Sequence, residues 1–177
     1  MINLKQDNMS DYSAAYHRKT TNTQQVKDIL QRANMSGCFF QPSNGWTTFM
    51  TEEETFVAEE SIIQANQEVL LFFYRTNDRL LWGFSIYQGP KLVGSYAIFE
   101  NDEEELEIEN TTTPDALALI VDSENLTELV RVLNPSDNEA AYEKWDYAFA
   151  ELVGLEHIEW VSFAEDDDSL EVYEVEN

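Results

Sequence analysis

Three consecutive strand-like segments between residues 69 and 99 constrain the fold of this chain more than any other feature. They cover residues 69–74, 80–88 and 91–99, and short turn sequences separate them. Strands joined by tight turns pair with their sequence neighbours, so the region predicts an antiparallel meander. Residues 69–74 are apolar at every position, which is typical of a central strand covered on both faces.

A helix and a hairpin are predicted on the N-terminal side of the meander. Thr21 and Gln24 form a capping box, and the apolar residues that follow recur with helical spacing, which predicts a helix over 21–34. Two short strands, 38–40 and 46–50, then form the hairpin.

A second helix is predicted over 53–67. The glutamates at 52–54 suit its first turn, where carboxylates meet the positive end of the helix dipole, and Phe56 and Val57 belong to its buried side. Residues 1–20 are polar without a clear period, so we expect a loose arm with at most a short helix there. The element order up to residue 99 is therefore αββαβββ.

The remainder of the chain reads as helices followed by short strands. Capping signals predict three helices that begin near Pro114, Ser123 and Ser136. The last of these carries Glu139 in its capping box and ends at Gly154. Alternating residues predict closing strands at 157–163 and 170–175. We expect one α+β domain over 21–177 that contains an antiparallel sheet and a helical C-terminal extension, with a candidate sub-boundary at 100–113.

The negative charge of the chain is concentrated in its second half. Residues 1–91 hold 10 acidic and 8 basic residues, a balance of -2, whereas residues 92–177 hold 25 acidic residues against Arg131 and Lys144, a balance of -23. The chain is 43% apolar and 12% aromatic, unlike a disordered acidic tail. A one-sided field of this size repels nucleic acid and anionic membranes and favours a basic partner.

Two acidic runs are the candidate partner-binding residues. They are Glu100, Asp102, Glu103, Glu104, Glu105, Glu107 and Glu109 in the first run, and Glu165, Asp166, Asp167 and Asp168 in the second. Leu106 and Ile108 alternate with acids in the first run, which fits either a loop or a solvated edge strand. Consecutive acids on a strand point to opposite faces, so neither run predicts a dedicated metal site.

The sequence contains no signature of catalysis or of a cofactor. Walker, dinucleotide-binding, zinc-protease and Cys-x-x-Cys motifs are absent, and we predict no catalytic residue, cofactor or metal. His17 is expected to be solvated, His157 to be at the surface or half-buried at the start of a strand, and Cys38 to be a small buried residue. The single cysteine and the lack of an apolar N-terminal or membrane-spanning stretch predict a cytoplasmic protein.

The stretch 38–46 contains the sequence Pro-Ser-Asn-Gly-Trp at 42–46, and acids at 52–54 and the strand-like segment 80–87 follow it. This pattern resembles a group of small uncharacterised acidic bacterial proteins that share a Pro-x-x-Gly-Trp hairpin. The resemblance covers residues 25–99. It implies a bacterial cytoplasmic origin and supplies no known activity and no catalytic residue.

Two classes of function remain open from sequence. The first is a non-enzymatic binding protein that covers a basic protein surface, as an immunity protein for a toxin or as an inhibitor that mimics nucleic acid. The second is a small enzyme or ligand-binding domain with a pocket between the meander and the C-terminal helices. Four aromatic residues are its candidate lining: Trp82, Tyr87, Tyr96 and Trp145.

Overall fold

The structure is a computed structural model that describes residues 12–52, 56–76, 81–100, 105–134, 145–159 and 170–174. Within these ranges one antiparallel sheet has the strand order β7-β6-β5-β4-β1-β3-β2-β8. The strands are β1 (Tyr12–Arg18), β2 (Gly37–Phe40), β3 (Thr47–Thr51), β4 (Val69–Thr76), β5 (Trp82–Gln88), β6 (Lys91–Glu100), β7 (Leu106–Asn110) and β8 (Leu170–Tyr173). The helices are α1 (Thr23–Ala33), α2 (Glu60–Ala65), α3 (Pro114–Leu117), α4 (Leu126–Val132) and α5 (Trp145–Val153). The α+β class is confirmed.

The predicted meander is present at the centre of the sheet. β4 pairs with β5 and β5 pairs with β6, both antiparallel. Leu71 and Phe73 of β4 belong to the core beneath α3, α4 and α5, whereas Leu70 and Phe72 belong to the core beneath α1 and α2. β4 is therefore covered on both faces, as its continuous apolar sequence predicts.

The prediction of a loose arm over residues 1–20 is wrong for Tyr12–Arg18, which form β1 between β4 and β3. The local sequence is misleading because His17 and Arg18 are polar yet buried. His17 Nδ1 and Thr48 Oγ1 of β3 share a hydrogen bond, and Glu68 forms an ion pair with Arg18. These partners are distant in sequence, so no local period reports them. Residues 1–11 lie outside the described residues.

The second helix is shorter than predicted. α2 begins at Glu60, and the preceding Phe56 and Val57 are 38% and 74% exposed rather than buried. The backbone before α2 is held in an extended conformation at Glu59, whose N–H donates to the Tyr16 hydroxyl at 2.7 Å. Glu52 therefore precedes the helix instead of capping it. Residues 53–55 lie outside the described residues.

Two helix caps differ from the sequence prediction. Asn22, and not Thr21, accepts the capping hydrogen bond from the Gln24 N–H at 3.1 Å. α4 has Asn125 at its N-cap position, so Ser123 does not cap it. α3 begins at Pro114 and the turn after α5 contains Gly154, as predicted. The proposed capping box at Ser136 and Glu139 lies outside the described residues.

The hairpin between β2 and β3 connects the sheet to α5. Asn44 and Gly45 both have positive φ, and Ser43 and Trp46 exchange two backbone hydrogen bonds of 2.8 Å, as in a type I′ turn. Trp46 Nε1 donates to the Val153 carbonyl at 3.0 Å, where α5 ends. The Asn-Gly turn thus positions the end of the C-terminal helical layer.

Candidate functional site

The described part of the first acidic run forms one edge of the sheet. Among the described strands β7 pairs with β6 alone, and the side chains of Glu107 and Glu109 are exposed on one face of it. Leu106 and Ile108 point to the other face and pack against the core. Alternate residues of a strand are about 6.8 Å apart, so the two carboxylates form a regular row. Residues 106–110 are therefore an edge strand and not a loop.

The remaining predicted acids have different positions. Glu100 is exposed at the end of β6, opposite Leu106, and the exposed Glu105 directly precedes β7. The other acids of the two runs lie outside the described residues: Asp102, Glu103, Glu104, Glu165, Asp166, Asp167 and Asp168.

The strand that follows the second acidic run, β8, is the opposite edge of the sheet from β7. Seven strand intervals separate the two edges, which is about 34 Å along the sheet. Glu171 on β8 forms an ion pair with Lys27 of α1 at 2.5 Å. Glu107 and Glu109 of β7 and Glu171 of β8 therefore lie on opposite edges of the described sheet.

On the sheet face that carries Glu107 and Glu109, the core formed by the described residues does not reach β7. The core beneath α1 and α2 ends on this face at Tyr74 and Tyr87. Beyond them Ser85, Ser95, Ala97 and Phe99 are only half-buried, whereas their neighbours on the opposite face are buried. We call the cross-strand row Tyr74, Gly83, Ala97 and Glu109, together with Ser95, Phe99 and Glu107 beside it, the open face.

Tyr74 lies across β5 on the open face. Its hydroxyl oxygen is 2.5 Å from the position that a Cβ atom on Gly83 would occupy, so a glycine is required beneath the phenol. Burial raises the pKa of Tyr74, and the negative charge of Glu109 raises it further. Phe56 contacts the Tyr74 ring edge-on, with ring centroids 5.9 Å apart. The phenol is therefore neutral and directed toward the acidic edge.

His17 is fully buried, which contradicts the prediction that it is solvated. Its Nδ1 lies 2.9 Å from Thr48 Oγ1, and its Nε2 has no hydrogen-bond partner among the residues that the structure describes. Burial, and to a lesser extent the charge of His157, lowers the pKa of His17 to about 3. The imidazole is therefore neutral at physiological pH.

The other two candidate reactive groups are also in packed surroundings. Cys38 is buried as predicted, and burial raises the pKa of its thiol to about 11, which leaves the thiolate scarce at neutral pH. His157 is half-buried, and its ring stacks on Phe40 with centroids 3.8 Å apart. Residues 157–159 are not in a strand, contrary to prediction, and 160–163 lie outside the described residues.

A buried arginine cluster joins β4 to α5 and was not predicted. Arg75 Nη1 donates to Glu159 Oε1 at 2.8 Å and to the Tyr147 hydroxyl at 3.0 Å. Its Nε lies 3.0 Å from Asp146 Oδ2 as an ion pair without hydrogen-bond geometry. Burial raises the pKa of Asp146, and Arg75 opposes that shift. The partners are 71 or more residues apart from Arg75, so no sequence spacing indicates them.

The four aromatic residues predicted to line one pocket lie in different parts of the described structure. Trp82 and Tyr96 are buried against each other, with ring centroids 5.0 Å apart, and Phe149 of α5 fills the space above Trp82. Tyr87 lies on the opposite face of the sheet, and Trp145 is partly buried at the start of α5.

A polar cleft of about 130 Å³ lies instead beside α1. Its lining is Arg18, Gln25, Asp28, Ile29, Arg32, Gln67 and Glu68. Protein groups already use its cationic donors. Arg18 Nη1 donates to the Val69 carbonyl at 2.8 Å, and Arg32 Nε and Nη2 both donate to the Ala65 carbonyl, at 3.0 and 2.9 Å.

Among the described residues, no three histidine, cysteine or carboxylate side chains converge in a way suited to a metal ion. Across the same ranges, every helix is too short or too polar to cross a membrane. Comparisons with protein-family models, with curated proteins and with solved structures find no match to this chain.

Proposed function

We propose that this protein is a non-enzymatic acidic binding protein that covers a basic surface of a partner protein. The partner is a toxin, for which this chain is the immunity protein, or a nucleic-acid-binding protein, which it inhibits as a nucleic-acid mimic. The balance of -23 in residues 92–177, presented in part on the ordered edge strand β7, is the observation that carries the proposal.

Physical chemistry connects this charge to binding. Complementary fields raise association rates to about 10⁸–10⁹ M⁻¹s⁻¹ at low salt, whereas the same field repels nucleic acid and anionic membranes. The titratable groups most often used in catalysis support a binding role over an enzymatic one. His17 and Cys38 are buried and neutral, and His157 is stacked on Phe40. We assign the protein to the bacterial cytoplasm because it has a single cysteine and resembles small acidic bacterial proteins.

Affinity capture from a bacterial lysate at low salt, followed by mass spectrometry, tests the proposal. We expect one stoichiometric partner of high isoelectric point, released by raising the salt concentration. The test variant replaces Glu105, Glu107 and Glu109 with Gln. The matched control carries the same charge change at exposed positions elsewhere in the acidic half: Asp122→Asn, Glu124→Gln and Glu151→Gln.

Each outcome has a defined meaning. The proposal predicts that the variant at Glu105, Glu107 and Glu109 associates with the partner more slowly than the control does. Capture of acidic proteins alone, or a basic partner whose association rate ignores salt, would contradict it.

A further inference from the structure

The open face has the composition of a site for a single cationic side chain. Its cross-strand row runs from Tyr74 over Gly83 and Ala97 to Glu109. The aromatic ring stands at one end and the carboxylate at the other, and the two residues between them have the smallest side chains. This order places an aromatic surface and a negative charge on either side of a low floor.

The dimensions of the row leave room between its two ends. Neighbouring strands are about 4.8 Å apart, so Gly83 and Glu109 are separated by two intervals, roughly 10 Å between Cα atoms. The Tyr74 phenol occupies the first part of the row above Gly83. Within this row of described residues, the half-buried Ala97 then lies between the phenol and Glu109.

The groups beside the row suit the same ligand. On one side, Ser95 Oγ lies 2.8 Å from Thr111 Oγ1, which forms a hydroxyl ladder next to Ala97. On the other side, Glu107 is paired with Phe99 in the β6–β7 register and is exposed. Hydroxyl oxygens and carboxylates are both acceptors, and the Ser95–Thr111 pair and Glu109 therefore place acceptors on two sides of Ala97.

We infer that the Tyr74 ring and the Glu109 carboxylate form a subsite for an arginine side chain of the partner protein. A guanidinium group is planar, stacks on aromatic faces and bonds carboxylates in a bidentate manner. A lysine ammonium has neither the plane nor the fork, so arginine is preferred. This inference rests on the proposed function and names the position at which an arginine of the basic partner binds.

The experiment uses hexa-arginine as the probe, added to isotope-labelled full-length protein at 0.15 M NaCl and followed by NMR. We expect the largest amide shifts at Gly83, Ala97 and Glu109. Hexalysine is expected to bind more weakly and with smaller shifts at these positions.

Four variants separate the subsite from the general field. Glu109→Gln and Tyr74→Leu should each weaken hexa-arginine binding about two- to fivefold, as expected for losing one exposed ion pair or one cation–π contact. Tyr74→Phe keeps the ring and should bind within about twofold of wild type. Glu124→Gln removes the same charge elsewhere and should also stay within about twofold.

The failure of the subsite and the failure of the proposed function are distinguishable. If hexa-arginine binds but Glu109→Gln behaves like Glu124→Gln, or the shifts are spread over the acidic half, the subsite is refuted and the proposed function stands. If hexa-arginine does not bind at all, the subsite is refuted, and the affinity capture described above decides the proposed function. Glu109 is exposed, so its variant tests the subsite even if Tyr74→Leu fails to fold.

Discussion

Protonation of His17 is predicted to destabilise the fold below pH 6.5. The imidazole is fully buried within the sheet, bonded to Thr48 through Nδ1 and contacting Phe73 edge-on. Burial is the main reason that its pKa falls from 6.5 to about 3, and the charge of His157 contributes. Between these two pH values the unfolded chain binds a proton that the native chain does not.

The sign and size of the effect follow from this difference in bound protons. Because the unfolded state binds more protons, the free energy of unfolding falls as the pH falls below 6.5. The slope approaches 1.4 kcal/mol per pH unit, so the loss at pH 5 is about 2 kcal/mol relative to pH 8. Relief of acidic self-repulsion opposes this loss, but ordinary carboxylates titrate mainly near pH 4. The histidine effect therefore dominates between pH 6.5 and about 5.

Urea unfolding of wild type and His17→Gln at pH 7.5, 6.5, 5.5 and 5.0 measures the effect. Glutamine retains a group able to bond Thr48 but does not titrate. The wild type should be more stable at pH 7.5, and its advantage should shrink by about 2 kcal/mol at pH 5. His157→Gln serves as the control, and most of the wild-type slope should persist in it because burial is the larger cause. A difference between wild type and His17→Gln that does not change with pH refutes the reasoning.

Three further changes have defined outcomes. Arg75→Met should lower the free energy of unfolding in urea by about 3–5 kcal/mol because it leaves Asp146 buried without its cation, and Arg75→Met with Asp146→Leu should recover part of the loss. Gly83→Ala should cost about 1–3 kcal/mol because its Cβ would lie 2.5 Å from the Tyr96 carbonyl oxygen. Gly45 has a φ of +84°, and a Cβ atom added there would have no atom within 4 Å. Gly45→Ala should therefore cost only roughly 1–2 kcal/mol, from the left-handed backbone conformation. If thermal unfolding shows a larger loss of stability for Gly45→Ala than for Gly83→Ala, the packing argument is wrong.

Elements whose stability depends on local pattern could be predicted from the sequence. α1 shows helical spacing, β4 is a continuous apolar run, and the Asn44-Gly45 turn carries its own conformational signal. The sequence of β7 fits either a loop or an edge strand, because its acids disfavour compact structure whereas Leu106 and Ile108 favour strand pairing. In the structure both residues pack against the core, and the segment forms a strand.

Features that depend on distant partners could not be predicted. His17 and Arg18 look like surface residues until β3 and β4 supply Thr48 and the Val69 carbonyl as partners. The open face could not be predicted either, because it is formed by residues of four different strands. Gly83 reads as an ordinary strand glycine, and only the register between β4 and β5 shows that Tyr74 covers it.

We expect the carboxylates of β7 to oppose self-association at this edge of the sheet as well, and salt separates that role from partner binding. An edge strand exposes unpaired backbone groups that another copy can extend, and like charges directly opposite each other oppose such pairing. Paired strands lie about 5 Å apart, inside the Debye length of about 8 Å at 0.15 M salt, whereas steering acts over longer distances.

We therefore predict that raising NaCl from 0.01 to 0.15 M slows partner association but leaves the molecular mass by light scattering unchanged. Lowering the pH toward the isoelectric point of about 4.1 neutralises the β7 carboxylates and should raise that mass. Self-association at pH 7.5 and 0.15 M NaCl would show that the β7 carboxylates do not prevent strand pairing between copies, because their repulsion is still unscreened at strand-pairing distance.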